Sequence, residues 1–161
     1  MKIKFKKLSK EAVSPKYAYT HDAGCDLTAI NKSYDTYGNV VYGTGLAVEI
    51  PEGYVGLLFP RSSVSKQDLL MSNSVGVIDS GYQGEIIVKF KRINAISVGI
   101  VNYLNENELM PSKAREEREF EVGDRVAQLI VIPYPKVEWE EVEEFDSKTD
   151  RGEGGFGSSG S

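Results

Sequence analysis

The stretch Arg125–Pro133 reads RVAQLIVIP and combines β-branched residues with period-two alternation, the pattern of a β-strand. A turn signal, residues 121–124 (EVGD), precedes it. The same pattern recurs in five other stretches, at residues 2–8, 38–50, 54–59, 85–90 and 137–145. Turn signals lie between them at residues 37–39 and 51–53, and long stretches with helical spacing are scarce. The sequence therefore predicts an all-β fold, a sandwich or a barrel.

The best helix candidate is the short stretch 63–70, which follows the helix-excluding Pro60. Ser62 or Ser63 is the expected N-cap. A second candidate covers residues 111–118, but its alternating charges are equally typical of a solvated segment, and we predict a loop there.

The size and composition of the chain indicate its class. Its 161 residues are enough for one domain with a sizeable core. The single Cys25 excludes an intrachain disulfide, and neither a secretion signal nor a membrane span is visible, so we expect a cytoplasmic protein. A net charge of −5 argues against a general grip on nucleic acid, whereas a small polyanionic substrate needs only a few cations and a divalent metal.

Two short stretches carry candidate anion-binding chemistry. Residues 23–29 (AGCDLTA) form a turn that runs into a strand with one carboxylate, Asp26, which by itself is more typical of an acid in a turn or at the edge of a core. Residues 59–66 (FPRSSVSK) place two hydroxyls at the start of a short helix, whose free N–H groups favour a phosphate. Ordinary N-capping explains the same two serines equally well.

A third stretch, residues 73–85 (NSVGVIDSGYQGE), suggests a hairpin that displays Asp79 and Tyr82 at one mouth. A carboxylate on such a loop suits a general base for a water that a phosphate or a metal already polarises. The alternative is a turn in which Asp79 only accepts hydrogen bonds from nearby backbone N–H groups.

The last two stretches are ambiguous by themselves. Residues 122–129 (VGDRVAQL) form a tight turn that enters a strand, and a surface ion pair between Asp124 and Arg125 explains them. The tail, residues 151–160 (RGEGGFGSSG), has the composition of a disordered terminus, yet contains Arg151 and Phe156, which a linker does not need. It lacks the lysine of a phosphate-binding P-loop.

Together, these stretches resemble the five motifs of the trimeric dUTPase family, whose patterns read roughly AGxDLxA, PRSGxxxK, GxIDxxYxGE, GDRxAQL and RGxGGFGSTG. The resemblance extends from Ala23 to Gly160. It implies a jelly-roll-like β domain over residues 1–146, a flexible arm over residues 147–161, and a homotrimer with three active sites at its interfaces. The implied reaction is hydrolysis of dUTP to dUMP and pyrophosphate with Mg²⁺.

The resemblance also assigns roles to residues of the third motif. It implies that Asn73 and the backbone of Gly76, Val77 and Ile78 bind the uracil edge. The ring of Tyr82 packs against the deoxyribose and leaves no room for a 2′-hydroxyl. Asp79 orients and deprotonates the attacking water.

The other motifs are implied to hold the triphosphate. Arg61, Ser62 and Ser63 bind the α- and β-phosphates, Gln128 reaches the phosphates and the water shell of the metal, and Asp26 supports the site from behind. Mg²⁺ is held by phosphates and water, with no direct protein ligand. In the arm, Arg151, Ser158 and Ser159 bind the γ-phosphate, Phe156 stacks over the uracil, and glycines such as Gly157 let the backbone wrap closely.

The sequence departs from the family pattern at three single positions and in one longer segment. Ser63 replaces a glycine, Ser159 replaces a threonine, and Cys25 occupies a variable position. A longer segment, about residues 91–120, separates the third and fourth motifs. It resembles the insert of some bacteriophage dUTPases, which in some cases binds a repressor protein; a surface loop with its own hairpin near residues 95–104 is the simpler interpretation.

Two rival functions are open at this stage. dCTP deaminase shares the fold and the trimer, but the Asp79–Tyr82 pair and the glycine-rich tail favour dUTPase. A regulatory binding module that acts through residues 91–120 is the rival from another class.

Overall fold

The computed structural model describes residues 1–93 and 118–155, which contain ten strands and one 3₁₀ helix. The elements in chain order are β1 Lys4–Lys7, β2 Cys25–Thr28, β3 Asn31–Tyr34, β4 Asn39–Gly43, β5 Leu46–Glu49, β6 Tyr54–Pro60, the 3₁₀ helix Ser62–Lys66, β7 Leu69–Met71, β8 Gly76–Ile78, β9 Ile87–Arg92 and β10 Arg125–Pro133.

The strands form three antiparallel sheets. The first four-stranded sheet has the order β2-β10-β6-β8, and the second has the order β3-β4-β9-β7. Strands β1 and β5 pair in a small third sheet. One cluster of buried side chains draws on both large sheets. The predicted all-β, jelly-roll-like sandwich is therefore confirmed.

The centre of the core is aromatic. Tyr42 and Phe90 meet edge to face with ring centroids 5.8 Å apart, and Phe120 packs against both rings. The Tyr42 hydroxyl donates to the Phe120 carbonyl at 2.9 Å, so the one polar atom of that side chain is satisfied. Burial raises the pKa of Tyr42, which keeps the phenol neutral. Phe120 thereby fixes the chain where it returns after residues 94–117.

The single strand predicted over residues 38–50 is wrong, because the chain changes sheets in its middle. β4 and β5 are separated by Thr44 and Gly45. Gly45 has φ of +65°, and a Cβ there would lie 2.5 Å from Ile30 Cδ1. The Thr44 hydroxyl donates to the Ile86 carbonyl at 2.7 Å and stabilises the corner. Only glycine accepts that backbone conformation at so close an approach.

The strand predicted over residues 137–145 is also wrong within this subunit. The segment has no regular structure, and Trp139 and Phe145 are 92% and 88% exposed. Its apolar residues stand at 137, 139, 142 and 145, so only the first two keep a period of two, and five glutamates fill the remaining positions. No described strand of the same chain supplies the hydrogen bonds that a strand requires.

The helix predicted over residues 63–70 is shorter than expected. The 3₁₀ helix ends at Lys66, and its N-cap is Arg61, which makes no side-chain capping bond. The capping role predicted for Ser62 or Ser63 is therefore wrong. Leu69 and Met71 are buried on either side of the exposed Leu70, and this alternation belongs to β7.

Asp68 joins the two ends of the long segment between the third and fourth motifs. Its carbonyl accepts from Ile93 N–H at 3.0 Å, and its N–H donates to the Arg118 carbonyl at 2.8 Å. Its carboxylate also accepts from Arg118 N–H at 3.0 Å. The hairpin considered near residues 95–104 and nearly all of the loop predicted at 111–118 lie outside the described residues. A protein partner there stays a prediction.

The second anchor of this segment is Glu119. Its carboxylate is bound by Arg92, by Lys32 at 3.2 Å and by the Tyr34 hydroxyl at 3.1 Å. Burial acts to raise the pKa of Glu119, but these three donors outweigh it and leave that pKa below its ordinary value.

None of the helices in the described ranges is long or apolar enough to cross a membrane.

Candidate active site

Three of the predicted site residues meet at one end of the first sheet. Asp26 in β2 lies opposite Gln128 in β10, and Gln128 lies opposite Phe59 in β6. β6 ends at Pro60, so Arg61 follows at the same end. The first, second and fourth motifs are thus neighbours because their strands are hydrogen-bonded to one another.

Asp26 is bound between two arginines. Its Oδ1 accepts from Arg61 Nε at 2.7 Å, and its Oδ2 accepts from Arg125 Nη1 at 2.9 Å. The Asp26 side chain is only 10% exposed, so both ion pairs are weakly screened by solvent. The role of supporting the site from behind stays a prediction for Asp26.

The surface ion pair considered between Asp124 and Arg125 does not form. The Asp124 carboxylate accepts from Glu121 N–H at 2.8 Å, which closes the turn before β10. Arg125 instead reaches Asp26 across a bulge between Arg125 and Ala127. Sequence reasoning missed Arg125, since a bulge in one strand leaves no mark that could reveal its partner.

Gly24 makes room for Gln128. A Cβ at Gly24 would lie 2.5 Å from Gln128 Oε1 and 3.2 Å from Gln128 Cβ. The carboxamide therefore lies directly over the backbone of the first motif. A side chain at position 24 would have to displace it.

Replacing Gly24 by alanine is expected to lower kcat/KM by up to about a hundredfold, because a misplaced contact group of this kind costs that much. The clash is with a flexible side chain, so the melting temperature should change little. The control is Gln128→Ala: if Gly24→Ala acts through Gln128, adding it to that variant should cause no further loss. A full additional loss in the double variant would contradict this mechanism.

The segment that follows Pro60 offers several donors to an anion. The first N–H groups of the 3₁₀ helix, at Ser62 and Ser63, have no intrahelical partner. The Ser63 hydroxyl is buried and has no hydrogen-bond partner in the described part of the chain. Arg61 adds a positive charge beside these groups, so the segment is suited to bind phosphate.

The third motif does not form the predicted hairpin. β8 pairs with β6 in the first sheet, whereas β9 pairs with β4 and β7 in the second. Residues 79–86 therefore cross from one sheet to the other. The crossing begins with a turn in which Tyr82 N–H donates to the Asp79 carbonyl at 3.0 Å, and the Asp79 side chain is exposed.

The Tyr82 side chain is fixed in place. Its hydroxyl donates to the Glu85 carbonyl at 2.8 Å. A Cβ at Gly84 would lie 2.5 Å from that hydroxyl oxygen and 2.7 Å from Cζ, so the ring covers the Gly84 backbone. About two fifths of the residue remains exposed and available to a ligand.

The predicted uracil-binding residues lie at the edge of the first sheet. Asn73 is exposed, and its Nδ2 lies 3.4 Å from where a Cβ of Gly76 would stand. Ser74 has φ of +59°, which turns the chain into β8. In β8, Val77 points to solvent while Gly76 and Ile78 face the interior. No strand is paired to the free side of β8 among the described residues.

One subunit does not bring all the predicted groups together. Gln128 lies opposite Phe59, while Ile78, which precedes Asp79, lies opposite Gly56. Across the sheet, β10 and β8 are two strand spacings of about 4.8 Å apart, and along the strands Asp79 and Gln128 are offset by about four residues of about 3.3 Å each. The two residues are therefore roughly 16 Å apart. Asp26, Arg61 and Gln128 form one cluster, and Asp79 and Tyr82 form another.

Comparison with known proteins identifies the family. The dUTPase family model matches residues 10–103 and 110–160. The chain belongs to the dUTPase family. The family predicted from the five motifs is thereby confirmed, and with it a dUTP-hydrolysing enzyme.

Individual relatives agree with this assignment. The deoxyuridine 5′-triphosphate nucleotidohydrolase of Corynebacterium glutamicum is 38% identical over 160 residues, which cover 98% of this chain and 94% of that protein. A variant of the Staphylococcus bacteriophage 80alpha dUTPase, solved with dUpNHpp, superposes with a TM-score of 0.77 at 34% identity and 99% coverage of both chains. A dUTPase variant from phage phi11 of S. aureus, whose structure contains a structural Mg(II) ion, has a TM-score of 0.69 at 32% identity and covers 91% of this chain and 100% of its own.

The tail of this dUTPase family member is described only in part. Arg151 Nε donates to the Gly154 carbonyl at 2.8 Å, and Gly154 N–H donates back to the Arg151 carbonyl at 3.0 Å. These bonds form a compact turn around Gly152, which has φ of +50°. Phe156, Gly157, Ser158 and Ser159 lie outside the described residues, so their predicted roles stay predictions.

Cys25 is not suited to nucleophilic chemistry. Burial raises the pKa of its thiol, and the neighbouring Asp26 charge raises it further. The reactive form of cysteine is the thiolate, which both effects disfavour.

Proposed function

We propose that this enzyme hydrolyses dUTP to dUMP and pyrophosphate by attack of water on the α-phosphorus, in sites shared between three subunits. The observation that carries the proposal is the separation between the Asp26–Arg61–Gln128 cluster and the Asp79–Tyr82 turn. A general base must lie within hydrogen-bond reach of the proton that it takes, directly or through one water. This requirement is met if each site combines the Asp26–Arg61–Gln128 cluster of one subunit with the Asp79–Tyr82 turn of a neighbouring subunit.

The phosphates bind at the cationic cluster. Arg61 and the backbone N–H groups and hydroxyls of Ser62 and Ser63 hold the α- and β-phosphates. Gln128 donates its amide hydrogens to a phosphate oxygen, and its Oε1 could accept from a water in the shell that Mg²⁺ would carry. Because Asp26 fixes the Arg61 guanidinium, this cation is in place before the substrate arrives.

The nucleoside binds at the other cluster. Asn73 and the exposed edge of β8, at Gly76, Val77 and Ile78, read the uracil through side-chain and backbone hydrogen bonds. The Tyr82 ring, whose hydroxyl end is held by the Glu85 carbonyl and covers Gly84, lies against the deoxyribose. A rigid ring leaves no space for a 2′-hydroxyl, so ribonucleotides are rejected by steric exclusion.

Asp79 acts as the general base. It is exposed at the start of the crossing segment, where its carboxylate can accept a proton from water. As the water oxygen bonds to the α-phosphorus, the bond from that phosphorus to the bridging oxygen breaks and pyrophosphate leaves. The proton passes to Asp79.

A divalent cation, Mg²⁺, neutralises the triphosphate when it is bound. Within residues 1–93 and 118–155, no group of three His, Cys, Asp or Glu side chains is placed to hold a metal. Both carboxylate oxygens of Asp26 are engaged by arginines. These residues suit an ion held by phosphates and water, as Mg²⁺ prefers.

The C-terminal arm, residues 147–161, closes the site after the nucleotide binds. Arg151, Ser158 and Ser159 engage the γ-phosphate, Gly157 lets the backbone approach, and Phe156 covers the uracil. The arm reaches a neighbouring subunit's pocket and excludes water from the reacting phosphates. The β domain, residues 1–146, supplies all other groups.

The test compares dUTP with dCTP in ¹⁸O-labelled water with Mg²⁺. We expect pyrophosphate and ¹⁸O-labelled dUMP from dUTP, with unlabelled pyrophosphate, because water attacks the α-phosphorus. No ammonia is expected from dCTP. Release of ammonia from dCTP would show that the enzyme is a deaminase and contradict the proposal. Label in the pyrophosphate would show that water attacks the β-phosphorus instead.

A further inference from the structure

We propose that Arg125 is a positioning residue, which keeps Arg61 both oriented and electrostatically effective toward the substrate phosphates by acting through Asp26. This inference rests on the proposed function of Arg61. Arg125 lies in β10 and reaches the far side of the carboxylate that holds Arg61.

The geometry of Arg61 leaves its terminal nitrogens available to a phosphate. Arg61 uses Nε to bind Asp26 Oδ1 at 2.7 Å, and its two terminal nitrogens have no hydrogen-bond partner among the described residues. Its side chain is 23% exposed. The planar fork of a guanidinium that is held at Nε presents its terminal N–H groups away from the holder, in the arrangement that binds phosphate oxygens.

The Asp26 carboxylate is held on both of its oxygens. A carboxylate with one partner can rotate about its terminal bond, whereas Arg125 Nη1 occupies Oδ2 at 2.9 Å. The two arginines therefore fix the Asp26 carboxylate from both sides. Because Asp26 sets the plane of Arg61, a contact made at Arg125 determines where Arg61 points.

Arg125 also changes the net charge around Asp26. An isolated Arg61–Asp26 pair is electrically neutral, which would weaken its attraction for a polyanion. Arg125 adds a second positive charge to the same carboxylate and restores a net charge of +1 to the triad. Since Asp26 is 10% exposed, these charges interact more strongly than they would in open solvent.

The competing interpretation is a purely structural ion pair that fastens the bulge at the start of β10. Arg125 is 51% exposed, and an ion pair with so exposed a partner adds little stability. The two interpretations differ in what is lost. Loss of a positioning residue weakens the binding of ligands that carry phosphates, whereas loss of a structural ion pair lowers the stability of the fold.

The experiment measures the affinities of dUpNHpp and deoxyuridine for Arg125→Met and Arg125→Lys. We expect Arg125→Met to weaken dUpNHpp binding about tenfold, the size expected for one charge at a partly buried site. Binding of deoxyuridine, which has no phosphate, should be unchanged. Arg125→Lys should restore most of the affinity, because Arg125 donates a single hydrogen bond that an ammonium can replace. Lys4→Met, which removes the exposed pair with Glu49 at 3.1 Å, is the matched control.

A double-mutant cycle with Asp26→Asn tests the route of the effect. The direct charge of Arg125 does not depend on Asp26, whereas its hold on Arg61 does, so Arg125→Met should cost less affinity when position 26 is already asparagine. Equal costs in both backgrounds would overturn the proposal. Unchanged dUpNHpp binding in Arg125→Met would overturn it too, as would an equal loss of deoxyuridine binding together with a lowered melting temperature. A wild-type enzyme that does not bind dUpNHpp would refute the proposed function itself.

Discussion

Replacing Asp79 by asparagine is expected to lower kcat for dUTP by about 10²- to 10⁴-fold, the contribution that a general base makes. Asparagine has nearly the same shape as aspartate but cannot accept a proton at neutral pH. The turn itself should survive, because Tyr82 N–H donates to the Asp79 carbonyl and not to its side chain. The substitution should therefore remove the proposed base and leave the position of Tyr82 intact.

Nucleotide affinity separates this role from a role in binding. Calorimetry with dUpNHpp should give nearly the same Kd for Asp79→Asn and for the wild type, since the proposed phosphate-binding groups belong to the other cluster. A large loss of affinity would make Asp79 a binding residue. Asp22→Asn is the matched control: Asp22 accepts from Tyr19 N–H at 2.8 Å, a bond that asparagine can keep, and its turnover should be normal.

Local chemistry made much of the fold predictable from the sequence. β10 was predicted with its full bounds, because a long β-branched run between a turn and a proline admits few alternatives. The strand predicted at residues 85–90 overlaps β9, Ile87–Arg92, because Val88 and Phe90 alternate with exposed neighbours there. In each case the residues that determine the strand lie inside it.

The errors come from contacts between distant parts of the chain. The corner at Gly45 depends on Ile30 and Ile86, which no pattern near Gly45 reveals. The crossing at Asp79 was predicted as a hairpin because both arrangements place a glycine-rich turn between two apolar runs. Tertiary pairing, which sequence periodicity does not encode, decides between them.

The same limit applies to the candidate site. The five motifs supplied the candidate residues, and the structure brings Asp26, Gln128 and Arg61, which follows the end of β6, together at one end of the first sheet. Arg125 escaped notice because its partner is 99 positions away. That Asp79 lies apart from the other cluster became apparent only from strand order and register.

Mixing two inactive variants tests whether the sites are shared between subunits. Asp79→Asn lacks the base, and Arg61→Ala lacks the phosphate cation; each alone is expected to be nearly inactive. When they are unfolded together in equal amounts and refolded, random trimers should regain about one quarter of wild-type activity, since each site draws one group from each of two symmetry-related subunits and each group is intact in half of the chains.

The recovery follows from geometry alone. A site that used Asp79 and Arg61 of the same chain would always contain one defective group, so mixing would restore nothing. Refolding each variant by itself controls for activation by the procedure, and sedimentation confirms that mixed and unmixed samples have the same mass. If trimers form but no activity is recovered, each site must use both clusters of the same subunit. The separation of roughly 16 Å between Asp79 and Gln128 would then require a large rearrangement on binding. Recovery near one quarter would also give a reason for the anchoring of Arg61 by Asp26. The base would then belong to another chain, so Arg61 has to be oriented by its own subunit before the nucleotide binds between the two.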